Sequence, residues 1–121
     1  ALDDYFARVP GKIAFIKMDV EGAEYAVWEG MARLLKDNPR LVVMTEFYPA
    51  ALRKSGAEPR DFLGRIAGDG FLISEVDEKE GKVVSRTPEE LVRAYTDRLD
   101  INTDLLLRRE TPSQRREGPH D

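Results

Sequence analysis

Between residues 13 and 47 the chain changes its apolar period twice, and this restricts the fold more than any other feature. Residues 13–20, IAFIKMDV, form a nearly continuous apolar and β-prone run, the pattern of a strand buried on both faces of a parallel sheet. From residue 22 to 36 the period becomes helical. Ala23, Ala26, Val27, Gly30, Met31 and Leu34 fall on one face, and Trp28 and Leu35 widen the stripe. Asn38-Pro39 breaks the helix. Residues 41–47, LVVMTEF, then read as a second buried strand that Pro49 stops. Strand, helix and strand make one βαβ unit, for which a right-handed crossover is expected.

The remainder continues the alternation. YPAALRKSGAE reads as a loop. Pro59 suits the first position of a helix running to about Ala67 and ended by GDG. Residues 71–76, FLISEV, are a third strand, and VVSR beyond the polar turn DEKEGK is a hairpin arm. TPEELVRAYTDRL opens with Thr87, Pro88 and Glu90, a capping box with proline at the first helical position. A last strand is expected over residues 103–109. The polar, breaker-rich residues 110–121 read as a disordered tail, so one domain spans 1–109.

Composition narrows the function. A chain of 121 residues is long enough for one core. No apolar run approaches the length of a membrane span, and no signal peptide is visible. Without an initiator Met the chain reads as an excised or processed piece. The lack of cysteine excludes disulfides, thiolate metal sites and a cysteine nucleophile, and fits a cytoplasmic location. A net charge of −4, mixed in sign, argues against wholesale nucleic-acid binding.

The charges around the first strand carry the chemistry. Asp19 ends that strand and precedes a helix, and open α/β sheets bind ligands outside the carboxyl ends of their strands. Its carboxylate could take a proton from a hydroxyl, help hold a divalent metal or bind an amine. It could equally cap the helix by accepting the Gly22 N–H. Glu24 suits the positive end of the helix dipole, worth roughly 0.3–1 kcal/mol, while Glu21 sits in the loop at the sheet's edge. Lys17 shares a face with Phe15 and Asp19 and is expected to pair with a carboxylate or to run its stem out to water. Glu46 sits near the end of the next strand. If the two strands are parallel neighbours about 4.8 Å apart, Asp19 and Glu46 converge on one pocket, as a metal site or an acid/base pair. Tyr25 and Tyr48 either line a cleft or pack locally. His120 has no partners in sequence, and the arginines of LLLRRETPSQRRE read as a solvated tail.

LDDYF, followed by IAFIKMDVEGAEYAVWEGM and, beyond a proline, LVVMTEFYP, resembles the C-terminal half of an FkbM-type methyltransferase. The IKMDVEGAE block is the most specific part of the match, and the order of elements agrees over residues 2–109. The resemblance implies an α/β fold, a partial Rossmann-like methyltransferase sheet of parallel strands with an antiparallel last strand. It also implies S-adenosylmethionine as cofactor and methylation of a small-molecule or sugar hydroxyl. Asp19, Glu21 and Glu46 become the candidate catalytic residues. The family's cofactor cradle, a glycine-rich turn after a first strand, has no counterpart here. Gly11, Gly22 and Gly30 make no GxGxxG. The resemblance therefore implies a half-domain, inactive as an isolated chain, that supplies the substrate-side wall of a site. The alternative is a non-catalytic remnant acting in self-association or partner binding. An uncovered strand edge at residues 13–20 would call for a twin chain or a missing N-terminal half. A metal-dependent hydrolase built on Asp19 and Glu21 ranks behind both, because no nucleophile or further ligands stand at telling spacing.

Overall fold

A computed structural model describes residues 15–95 and 101–109. Its elements in chain order are β1 (Phe15–Met18), α1 (Glu24–Gly30), α2 (Ala32–Asp37), β2 (Val42–Phe47), α3 (Pro49–Lys54), α4 (Pro59–Gly68), β3 (Phe71–Asp77), β4 (Lys82–Ser85), α5 (Pro88–Tyr95) and β5 (Thr103–Arg109). The expected tail at 110–121, His120 and the LDDYF segment lie outside the described residues.

The strands form one sheet in the order β1-β2-β5-β3-β4. β1 and β2 are parallel, and β5 is inserted antiparallel between β2 and β3. β1, β2 and β3 therefore run in one direction and finish at the same end of the sheet. The expected antiparallel last strand is present over 103–109, but only one neighbouring pair is parallel.

The strands are not buried on both faces, as their apolar runs suggested. β2 alternates, with Val43, Thr45 and Phe47 fully buried and Val42, Met44 and Glu46 half-buried between them. The covered face joins Met18, Val43, Phe47, Ile73, Leu105 and Leu107 to a helical layer built on Trp28, Leu52, Phe62, Leu63, Ile66 and Leu91. The opposite face bears Phe15, Val42, Met44, Leu72 and Leu106 by register. Phe15 is 53% exposed there and Leu72 43%. An apolar run fixes a strand but not how many of its faces become covered. β1 lies at the sheet edge, with its outer side unpaired among the described residues.

The first helix also departs from expectation. It breaks at Met31, whose N–H bonds to the Trp28 carbonyl, three residues back, rather than to that of Val27, four back. The buried stripe is Glu24, Trp28, Met31, Leu34 and Leu35, while Ala26 is exposed. Trp28 offers the largest apolar area, so its burial sets the rotation of the helix. Its ring meets Phe71 edge-on at 5.1 Å, and its Nε1–H donates to Asp69 at 2.8 Å.

YPAALRKSGAE, expected as a loop, contains α3. Pro49 stops β2 and also takes the first helical position, where its missing N–H leaves no bond unmade. The capping box of α5 is formed as expected, with Thr87 and Glu90 exchanging bonds of 2.8 and 3.1 Å. At the sheet end opposite the strand carboxyl termini, Arg109 donates to the carbonyls of Leu35 and Asp69 and lies 4.3 Å over the Phe71 ring. That bracket joins β5 to the helical layer.

Candidate active site

The parallel register places Met18 beside Thr45, so the next residues, Asp19 and Glu46, stand side by side where the two strands finish. The turn after β1 brings in a third carboxylate. Glu21 and Gly22 both have positive φ, +48° and +102°, and the chain reverses within two residues before α1 begins. Gly22 is required there on two counts. Its φ is one that side chains resist, and a Cβ would lie 2.8 Å from the Ala51 carbonyl carbon and 2.9 Å from Ser55 Oγ.

Glu24 closes this turn. It is 1% exposed, and its carboxylate accepts the Gly22 N–H at 2.8 Å and the Val20 N–H at 3.1 Å. The capping role considered for Asp19 thus belongs to Glu24, and Asp19 is left exposed. The longer side chain, anchored in the helix, reaches back over the turn that Asp19 itself leads into.

One oxygen from each of Asp19, Glu24 and Glu46 lies within 4.8 Å of the others. No ion pair with a described cation neutralises them. Glu46 registers the crowding. Burial raises its pKa above the ordinary value, and the charges of Asp19, Glu24, Asp104 and Glu21 add to the rise. Asp104 is the residue opposite Glu46 on β5.

The sequence-predicted residues therefore divide. Asp19 and Glu46 converge. Glu21 is exposed in the turn and outside the cluster of three, and reaches Glu46 only through its charge. Lys17 is exposed and pairs with no described carboxylate. Tyr25 packs on Phe62, with ring centroids 5.6 Å apart, and lines a shallow pocket beside Glu29 and Asp61. In the sequence Glu24 is assigned to the helix dipole rather than to the site, and nothing points to Asp104. Asp104 becomes relevant only once the antiparallel register is known.

The family model for the FkbM methyltransferase domain matches residues 1–83. The chain belongs to the FkbM methyltransferase family. No curated protein and no solved structure matches it significantly. The FkbM match takes in β1, the Glu21-Gly22 turn and β2, and so includes Asp19, Glu24 and Glu46. It ends inside β4, leaving α5, β5 and Asp104 beyond it. Among the described residues no helix is long and apolar enough to cross a bilayer.

Proposed function

We propose that the chain is part of an S-adenosylmethionine-dependent O-methyltransferase that acts on a small-molecule or sugar hydroxyl, and that it supplies the substrate-side wall of the site. The observation that carries this reading is the convergence of Asp19, Glu24 and Glu46 where β1 and β2 end, at the side of an α/β sheet where ligands bind. Methyl transfer to oxygen needs the hydroxyl aligned and its proton removed. Glu46 suits the proton acceptor, because burial and neighbouring carboxylates make its anion more basic than an exposed one. Asp19, exposed beside it, can accept a hydrogen bond from the same or an adjacent hydroxyl and so orient it. Glu24 holds the turn that follows Asp19.

A divalent cation fits the donor set. Asp19, Glu24 and Glu46 offer hard oxygen ligands within reach of one ion, and such an ion would supply Lewis-acid activation of the hydroxyl. S-adenosylmethionine does not fit the described residues in the same way. The glycine of the β1 turn has its open side filled by the backbone of Ala51, so this turn offers no cradle for the methyl donor.

A second reading, self-association or partner binding without catalysis, is favoured by β1 at the sheet edge and by the apolar face around Phe15 and Leu72. Calorimetric titration of S-adenosylmethionine into the full chain reads whether it binds the methyl donor unaided. Submillimolar binding, with methyl transfer to a hydroxyl acceptor that falls by about a hundredfold or more in Glu46→Gln, would make the chain an enzyme by itself; silence leaves it a half-domain that supplies the substrate side alone. A sharp monomer in size-exclusion with light scattering contradicts self-association.

A further inference from the structure

On the far side of Asp104 from Glu46, a groove of about 410 Å³ wraps around the end where β3 finishes and β5 begins. This is the end of the sheet at which β1 and β2 also finish, since Phe47 is paired with Thr103. Its volume lies within the range of small-molecule sites, about 300–1,000 Å³, but its lining is polar and charged.

The floor is a closed network. Glu75 accepts hydrogen bonds from the Tyr95 hydroxyl, from Thr103 Oγ1 at 2.8 Å and from Arg86 Nε at 3.0 Å. Burial acts to raise the Glu75 pKa, but these three donors outweigh it and hold the carboxyl below its ordinary value. Glu75 and Arg86 thus balance each other in charge. The charges that remain around the groove are Asp77, Glu78 and Asp104 against Lys79, a surplus of two negative charges. Asn102 and the Thr103 hydroxyl add neutral polar groups.

We propose that this groove is a substrate subsite for a hydroxyl-rich, amine-bearing molecule of the amino-sugar class, and that it rejects phosphorylated or carboxylated analogues. A half-buried floor held by three hydrogen bonds to one carboxylate is ordered, and surplus carboxylates at its rim attract an ammonium and repel an anion. Asp104 is shared: it lines the groove and stands opposite Glu46 on β5. A ligand whose amine meets Asp104 lies one strand away from Glu46. The assignment as acceptor subsite rests on the methyltransferase reading; the charge preference rests on the groove alone.

The test is amide chemical-shift mapping of the full chain with glucosamine, glucose and glucose 6-phosphate as probes. Glucosamine should shift the amides of Asp77, Asn102 and Asp104, glucose should do so more weakly, and glucose 6-phosphate should not. Asp104→Asn should weaken glucosamine binding about tenfold. Glu78→Gln, at an exposed turn position that cannot unfold the chain, should weaken it in the same direction. Absence of shifts at the groove, equal binding of the phosphate, or unchanged affinity in both variants overturns the proposal. Shifts confined to Asp19 and Glu46 overturn the subsite but leave the methyltransferase reading standing. Groove binding that leaves the Glu46 amide unshifted defeats the acceptor role and leaves the charge preference.

Discussion

Glu24 accepts the Gly22 N–H at 2.8 Å, so a buried carboxylate on the first turn of α1 closes the loop that leads out of β1. Replacing it separates its parts. Glu24→Ala leaves two amides, those of Val20 and Gly22, without their acceptor and should cost about 2–4 kcal/mol in urea unfolding. Glu24→Gln keeps one carbonyl oxygen and should cost less.

The same turn has no room at Gly22. In Gly22→Ala the new methyl meets the Ala51 carbonyl and Ser55 at a φ that alanine resists, so the loss should be on the order of 2 kcal/mol or more. Gly56, which also has positive φ but nothing within 4 Å of an added Cβ, is the control. Gly56→Ala carries the conformational strain without the clash and should cost less.

Glu46 makes stability depend on pH in the sense opposite to a salt-bridged acid. Its folded pKa is raised, so its contribution is fully present below the unfolded value and is lost as pH rises through the folded one. Glu46→Gln removes the repulsion at all pH values. The variant should melt at a higher temperature than the parent at neutral pH, and the difference should close once the medium is acidic enough to protonate Glu46 in both states. A Glu46→Gln variant less stable than the parent at neutral pH would contradict this.

Glu75 has the opposite sign. Its folded pKa is lowered by the Tyr95, Thr103 and Arg86 hydrogen bonds, so its stabilising effect is present above the unfolded value and is lost as pH falls through the folded one. Tyr95→Phe removes one donor and should cost about 1–2 kcal/mol at neutral pH. The Glu75 carboxyl should then titrate higher, as seen by carbon-detected NMR.

What was legible in the sequence was local. The Thr87–Glu90 box depends on residues three apart and formed as read. β5 was legible because TDLLLRR has both strand propensity and clear breaks around it. α3 is not legible if Pro49 is read only as a stop, although Ala50, Ala51, Leu52, Arg53 and Lys54 are strong helix formers behind a proline suited to a helix start. The FkbM resemblance, carried by IKMDVEGAE, was legible and is matched by the family model. The site was half legible. Asp19 and Glu46 follow from strand ends, but their meeting required β1 and β2 to be neighbours. Glu24 and Asp104 joined them through a side chain's reach and a strand register that sequence spacing does not encode.

Carboxyl titration of Glu46, followed by carbon-detected NMR in the parent chain and in Asp19→Asn, reads the convergence of these groups without cofactor or substrate. Glu46 should titrate above the ordinary glutamate value in the parent and fall back toward it in Asp19→Asn, because one of the charges opposing its ionisation is gone. An ordinary Glu46 titration that is identical in both proteins would mean that the carboxylates do not share a site, and the reading of this strand end as a catalytic wall would fail.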